Sequence, residues 1–293
     1  MDEHTKFVKA EDCNYYGGRR YPKLVTEAVF DAMKTFEVRD DDIWLLTYPK
    51  AGTTWMMEII HHILDHGIEG YKISTTDRAL YPEYVKPRGP SNYELLKEAP
   101  SPRFIASHLP GHLLPPQIHE HRAKIIYVAR NAKDVAVSMY YHHKVDPMIP
   151  KYQSWEEFYD AFINNDVIFG SWADHTLYWW NRRFEDNVMF VTYKQMKKDL
   201  AGMVSQVARF LDISLENQIK GIADKCTFQN MKKNAPRQHP NILGAFKVDQ
   251  SQSPFVRKGK VGSWKSQFTV AQNDLFDERY KEWIGDSGLT FTA

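Results

Sequence analysis

The chain has 293 residues and a mass of 34.3 kDa, with 43% hydrophobic and 26% charged residues, proportions that exclude a collagenous, coiled-coil or disordered chain. Lys and Arg number 38 against 37 Asp and Glu, a formal net charge of +1. No global basic field therefore attracts a nucleic-acid backbone or an anionic membrane, and any anion-binding site is local.

No repeat or low-complexity tract divides the chain, so the expectation is a single domain over residues 1–293. The polar start Met1-Asp-Glu-His lacks the apolar core of a signal peptide and points to the cytosol. The longest uncharged run, Phe104 to Ile118, is interrupted by Pro110, Pro115 and Pro116 and cannot span a bilayer. Cys13 and Cys226 are too few for a disulfide framework and lack metal-ligand spacing; both are expected reduced.

In chain order, Ile43–Tyr48 reads as a buried strand and Thr53–His66 as a helix. Arg103–Ser107 and Lys124–Ala129 follow as strands, the latter leading into a helix over Ala132–Lys144. Aromatic side chains from Trp155 to Trp180 fall in helix-compatible stretches, with Ser154-Trp-Glu-Glu157 in capping-box form. Val188–Tyr193 is a further strand, and Lys194–Leu211 carries one helical period. Strands that are apolar throughout are buried on both faces. The predicted fold is thus α/β, with a central parallel sheet flanked by helices and ligands at the carboxyl ends of its strands. Tyr71–Pro102 and Asn234–Ser263 read as irregular segments, the usual setting of binding loops.

Thr47-Tyr48-Pro49-Lys50-Ala51-Gly52-Thr53-Thr54-Trp55 lies between a strand and a helix. Gly52 permits a tight turn, the N–H groups that follow open a helix whose positive dipole end favours phosphate, Lys50 adds charge, and Thr53 and Thr54 add hydroxyls. This strand–loop–helix is P-loop-like without being a Walker A loop, because Lys50 precedes the glycine. Arg130 ends a strand and can hold a phosphate bidentately, Asn131 is a helix cap, and Ser138 lies two turns further on. Arg257-Lys258-Gly259-Lys260 is a third cationic segment. His108 follows a strand, where its ordinary pKa of about 6.5 suits a general base. His61, His62 and His66 form no completed metal pattern and are read as a helix face, as His119, His121, His142 and His143 are read as surface or packing residues; no metal is assigned.

Tyr48–Trp55, Ser107–Pro110, Val128–Ser138 and Arg257–Lys265, in this order, resemble the cytosolic sulfotransferases, with the likeness running from near Tyr21 to Trp283. The resemblance implies 3′-phosphoadenosine 5′-phosphosulfate as donor, with no metal, and a small hydroxyl- or amine-bearing acceptor. It implies that Lys50 contacts the bridging oxygen of the donor. By the same resemblance Gly52 to Trp55 would hold the 5′-phosphate, with Ala51 also in the donor site and Trp55 near adenine, and His108 would take the acceptor proton. Arg130, Ser138, Arg257, Lys258 and Gly259 match residues around the 3′-phosphate, and Tyr193, Thr227 and Phe228 match those around adenine. Ser138 also restrains the lysine until acceptor arrives.

The family's pattern departs here at Ala106, where many members carry Lys, at Cys226 for Thr and at Ser263 for Asp. Lys265 to Asp274 resembles the family's dimerisation motif, with Asp for the usual Glu, and a homodimer is an expectation; a cap at Thr269 explains part of the segment equally well. Tyr71–Pro102, Lys144–Tyr152 and Gly244–Val256 are the expected acceptor walls, with Tyr81, Tyr84, Tyr140, Phe169 and Phe246 as candidate contacts. Two readings compete: a P-loop-like nucleotide kinase and a catalytically silent nucleotide-binding protein.

Overall fold

The computed structural model describes residues 6–69, 71, 80–85, 89–238 and 259–291, with backbone alone for 234–238. A short antiparallel meander opens the chain: β1 (Phe7–Lys9), β2 (Asn14–Tyr16) and β3 (Arg19–Tyr21). The sequence reading assigned nothing here. Tyr16 pairs with Arg19 across Gly17 and Gly18, whose φ of 59° and 72° supply the conformation a two-residue hairpin turn needs.

The elements that follow are α1 (Glu27–Thr35), β4 (Ile43–Thr47), α2 (Thr53–Gly67), α3 (Asn92–Glu98), β5 (Phe104–Ser107), β6 (Lys124–Ala129) and α4 (Ala132–Val145). After them come α5 (Trp155–Ile163), α6 (Trp172–Trp180), β7 (Val188–Thr192), α7 (Tyr193–Lys198), α8 (Leu200–Phe210), α9 (Ile219–Lys225), α10 (Phe228–Gln238) and α11 (Val270–Ile284). The second sheet is parallel throughout, in the order β5-β4-β6-β7. Its continuous apolar strands serve two cores. Trp44 and Leu46 of β4 join Ile125 and Tyr127 in one, while Ile43 and Leu45 join Ile126, Val128 and the α2 residues Ile59 and Ile60 in the other. The connection after β4 leads to one side of the sheet and that after β6 to the other, so the crevice between these strand ends is the switch point where ligands collect.

Local chemistry explains where the elements differ from expectation. The helix predicted over 194–211 is two, because Asp199 leaves helical geometry at φ −146° and its carboxylate accepts the N–H of Gly202 at 2.8 Å, capping α8. Tyr193 opens α7 instead of closing β7, with Thr192 and Gln195 forming the capping box. The segment 71–102, read as irregular, contains α3, started by the reciprocal Ser91 and Glu94 box. At α5, Ser154 accepts the Glu157 N–H at 3.2 Å as expected, but the Glu157 carboxylate takes the N–H of Gln153. Among the described residues, no helix is long and apolar enough to cross a membrane.

Candidate active site

The turn after β4 is built from backbone conformations that side-chain-bearing residues avoid. Lys50 has φ 69° and Gly52 φ 128°, and Ala51 N–H closes the turn onto the Tyr48 carbonyl at 3.1 Å. A lysine held in the left-handed region is strained by of order 1–3 kcal/mol, and such strain collects at ligand clamps. Gly52 is the N-cap of α2 and has no side chain with which to satisfy the first N–H groups of the helix. The Trp55 N–H turns back to the Gly52 carbonyl at 3.1 Å, and the N–H groups of Thr53 and Thr54 stay available to an anion. A methyl group at Gly52 would lie 2.9 Å from the Tyr193 ring. The glycine is therefore required by conformation and by space alike. Thr53 Oγ is 2.7 Å from the Thr47 hydroxyl, tying the helix start to β4.

Arg130 stands beside this turn. Its guanidinium donates to the Lys50 carbonyl at 3.2 Å and to the Lys260 carbonyl at 3.3 Å, and lies 4.4 Å from the Tyr193 ring centroid. Its Nε is buried with no hydrogen-bond partner among the described residues. Burying an unsatisfied N–H on a charged group is costly, and an anionic oxygen would remove the cost. Across the crevice, Trp55 donates its indole N–H to the Cys226 carbonyl at 2.8 Å and meets Tyr193 edge-on at 5.2 Å. A side chain at Gly259, where φ is 58°, would collide with the Phe228 ring. Trp55 thus meets Tyr193 and Gly259 lies against Phe228, with the Lys197 ammonium 5.8 Å from the Trp55 ring centroid and 5.7 Å from that of Phe228 joining the two pairs. The Cys226 main chain, not its side chain, makes the bond to Trp55, a bond that a Thr at this position could make equally. Thr227 uses its hydroxyl on the Asp224 carbonyl at 3.0 Å, at the start of α10.

Not every expected residue is brought in by a visible bond. Thr54, in the first turn of α2, and Ser138, midway along α4, are half-buried. Arg257, Lys258 and Phe246 lie outside the described residues. The loop that carries Gly259 is anchored by Asp134, whose carboxylate accepts from Gly262 N–H at 2.8 Å, the Trp264 N–H at 3.2 Å and the Ser263 hydroxyl at 3.2 Å. Ser263 thereby acquires a role that the sequence reading did not give it.

His108 follows β5. Its Nδ1 lies 2.8 Å from the Thr47 carbonyl, which can only accept, so Nδ1 carries the proton and Nε2 keeps the lone pair. Burial, reinforced by the Lys50 charge, pushes the imidazole down to about 4, and the Thr47 carbonyl opposes that fall. A neutral ring with a free Nε2 is what proton abstraction requires. The His108 carbonyl accepts from His175 Nε2 at 3.1 Å, and His175 Nδ1 meets the Tyr127 hydroxyl at 2.8 Å. Around the base stand Tyr81, 5.3 Å away between ring centroids, and Phe169, edge-on at 5.7 Å. Tyr84 stacks obliquely on Tyr81 at 5.3 Å. Phe169 has φ 64°, an uncommon state for a bulky residue, and its N–H is fixed to the Arg20 carbonyl at 2.8 Å. Tyr140, the other expected wall residue, packs instead against Trp155 and Phe158.

Sequence reasoning passed over two groups here. Glu83 is fully buried and bonded to the His108 amide at 2.6 Å. His142, read as a surface or packing residue, is half-buried with Nε2 3.3 Å from Asp146, and its pKa is driven far down by burial and by the nearby charge of Lys50. Neither belongs to a motif with a local signature. The histidines of α2 also divide differently from expectation. His61 is buried against Phe104, whereas His62, Asp65 and His66 bring their ligand atoms within 4.8 Å of one another. His66 Nδ1 faces the His62 carbonyl at 2.8 Å and its Nε2 faces the Lys225 ammonium at 3.5 Å, an unfavourable neighbour for a cation.

A parallel α/β sheet that presents a glycine turn and an arginine at its switch point, with a neutral imidazole beside them, defines a group-transfer enzyme acting on a phosphate-bearing donor. The chain belongs to the sulfotransferase family: residues 40–288 match the Sulfotransferase domain. It is 38% identical over 266 residues to human Sulfotransferase 1C2, covering 88% of each chain. It is 40% identical over 264 residues to rat Sulfotransferase 1 family member D1, covering 89% of each. The crystal structure of mouse sulfotransferase SULT7A1 complexed with PAP is similar, with a TM-score of 0.81 and 34% identity over 93% of this chain and 95% of that one. Retinol dehydratase, solved with retinol and PAP, shares the fold at 21% identity and a TM-score of 0.82 over 98% of this chain and 92% of that one. The protein is a sulfotransferase with 3′-phosphoadenosine 5′-phosphosulfate as co-substrate, and the kinase reading falls away.

Proposed function

We propose that the protein transfers the sulfuryl group of this donor to the hydroxyl, or amine, of a small apolar acceptor such as a phenol, steroid or other alcohol, with His108 as general base. The observation that carries the proposal is the bond from His108 Nδ1 to the Thr47 carbonyl, which fixes a neutral imidazole beside the phosphate turn with Nε2 uncommitted. In the reaction the acceptor oxygen forms a bond to sulfur, and the bond from sulfur to the bridging phosphate oxygen breaks. His108 Nε2 receives the acceptor proton, and 3′-phosphoadenosine 5′-phosphate leaves. Lys50 stabilises negative charge developing on the bridging oxygen, a fixed cation acting where charge appears, and Ser138 holds that lysine before acceptor binds. Ala51, Gly52, Thr53, Thr54 and Trp55 hold the 5′-phosphate. Arg130, Ser138, Arg257, Lys258 and Gly259 hold the 3′-phosphate, and Trp55, Tyr193, Thr227 and Phe228 enclose adenine. The unpartnered Arg130 Nε and the donors left open by Gly52 support this assignment. Tyr81, Tyr84 and Phe169, beside the base, suit an acceptor with an aromatic or alicyclic ring.

One catalytic domain spanning residues 1–293 and acting in the cytosol is part of the same reading. So is a homodimer through Lys265–Asp274, in which Thr269 caps α11 and Val270 is left 79% exposed beside it. The test of function is transfer of labelled sulfonate from the donor to a panel of phenols, steroids and aliphatic alcohols. A sulfated product is expected. Tight nucleotide binding without transfer to any acceptor would mean the catalytically silent alternative.

A further inference from the structure

Glu83 has a carboxyl group with no exposed surface, in a segment with no regular structure. Its Oε1 accepts the His108 N–H at 2.6 Å, the Ser107 hydroxyl lies near enough to ease the burial of its charge, and Oε2 has no hydrogen-bond partner among the described residues. Burial pushes the acid up to about 7, a measure of what it costs to keep the group there. An apolar residue of the same volume would avoid that cost. The bond therefore calls for an explanation beyond packing, and its partner is the main chain of the residue that carries the imidazole.

The surroundings show what the bond joins. Leu80 bridges in parallel to Ile105, and the Ala106 N–H donates to the Leu80 carbonyl at 3.2 Å, so the segment lies along the free edge of β5. The Tyr81 carbonyl accepts from the Asn92 side chain at 2.9 Å, and the Val85 N–H donates to the Leu24 carbonyl at 3.0 Å. Tyr81 and Tyr84 lie on either side of Glu83; the Tyr81 ring approaches His108, and the Tyr84 ring packs on Tyr81. Ser107 Oγ also accepts the Leu109 N–H at 3.0 Å, which shapes the turn containing the base. One buried carboxyl thus fastens the aromatic acceptor wall to the backbone of the base.

We propose that Glu83 is a positioning residue for sulfuryl transfer: by hooking the His108 amide it holds the imidazole and the Tyr81–Tyr84 wall in one register. This rests on His108 being the base. Glu83 touches neither the phosphate turn nor Arg130 in any contact described, so its influence falls on turnover and acceptor engagement while donor affinity is spared.

The experiment compares E83Q, E83A, S107A, H108A and the double variant E83A/H108A for kcat, acceptor KM, binding of 3′-phosphoadenosine 5′-phosphate and thermal midpoint. A misplacement of the base by about 1 Å is expected to lower kcat of E83A about 100-fold. E83Q keeps an oxygen acceptor and is expected within about tenfold of the parent. Nucleotide affinity is expected unchanged in both. Because Glu83 acts through the base, adding E83A to H108A should cost little further activity. A folded E83A with parental kcat and acceptor KM overturns the proposal, as does a double variant losing as much again as E83A loses alone. If E83A does not fold, E83L, apolar and of similar volume, takes its place: a fall in its kcat with unchanged nucleotide affinity supports the proposal, and parental kcat with parental acceptor KM overturns it. An active H108A with a normal thermal midpoint, by contrast, removes the base assignment on which the proposal stands, and is read without any Glu83 variant.

Discussion

The proposed donor side and the proposed acceptor side of this crevice are held by different means. The proposed donor side stands on strand ends: Lys50 and Gly52 follow β4 and Arg130 follows β6, two strands paired on both sides, and Tyr193 follows β7, which pairs along its length with β6. The acceptor side stands on Leu80–Val85 and Val167–Gly170, which are irregular and are fastened by single bonds such as Glu83 to His108 and Tyr48 to the Gly170 carbonyl at 2.8 Å. A rigid frame suits a ligand that is the same in every turnover. A wall attached at few points lets substitution change what is accepted while leaving the donor grip in place.

The largest test of that division is removal of the groups at the junction. Lys50→Ala and His108→Ala are each expected to lower kcat by about 100- to 10,000-fold, the range for losing a preorganised charge or a general base. H108A should still bind 3′-phosphoadenosine 5′-phosphate at near-parental affinity, measured by calorimetry. A large loss of nucleotide affinity in H108A would show that the two sides are not separate.

The donor frame itself breaks at Gly52. An Ala there meets the Tyr193 ring at 2.9 Å and must adopt a φ of 128° that a Cβ disfavours. Nucleotide affinity of Gly52→Ala is expected to fall about 100-fold, equivalent to about 3 kcal/mol. Weaker by design is Asp134→Ala, which frees the Gly262–Trp264 turn behind Gly259. Loss of these charge-assisted bonds is expected to weaken nucleotide binding by about tenfold, with kcat at saturating donor near parental.

The same division separates what the sequence exposes from what it hides. The four parallel strands, the phosphate turn, Arg130 and His108 are legible because each is a local pattern: an apolar run, then a glycine or a charged group at its carboxyl end. Hidden are Glu83, the Thr47 carbonyl bond to His108 and the influence of Lys50 on His142, which arise only when segments separate in sequence are packed together. A lone Glu between Pro82 and Tyr84 has no signature of burial. The first hairpin was legible in principle, since Gly17-Gly18 between paired residues is a turn signal. The break at Asp199 shows the opposite failure. Helical spacing of apolar residues continued across it, while the capping carboxylate ended one helix and began another.

The smallest expected effect concerns pH and separates chemistry from stability. His108 has a pKa lowered by burial and by Lys50 to about 4, so its base form persists as pH falls and is lost only near that value. Between pH 7.5 and 6, kcat/KM should change less than about twofold, where an imidazole at about 6.5 would lose about fourfold. Stability responds earlier. His108 and His143 at about 4 and His175 at about 3 are neutral in the folded chain, while the unfolded chain binds protons from about 6.5 downward. Their contribution is present above that point and is lost as pH falls toward 4. Glu83, raised to about 7, has the opposite sign: its contribution is fully present below its ordinary value of 4.5 and is lost as pH rises through 7. A thermal midpoint that falls below pH 6.5 while kcat/KM stays level, with any step near 7 absent from E83Q, is the expected pattern. A shared midpoint near 6.5 for activity and stability would instead place His108 in open solvent, which the bond to Thr47 and the Tyr81 and Phe169 rings argue against.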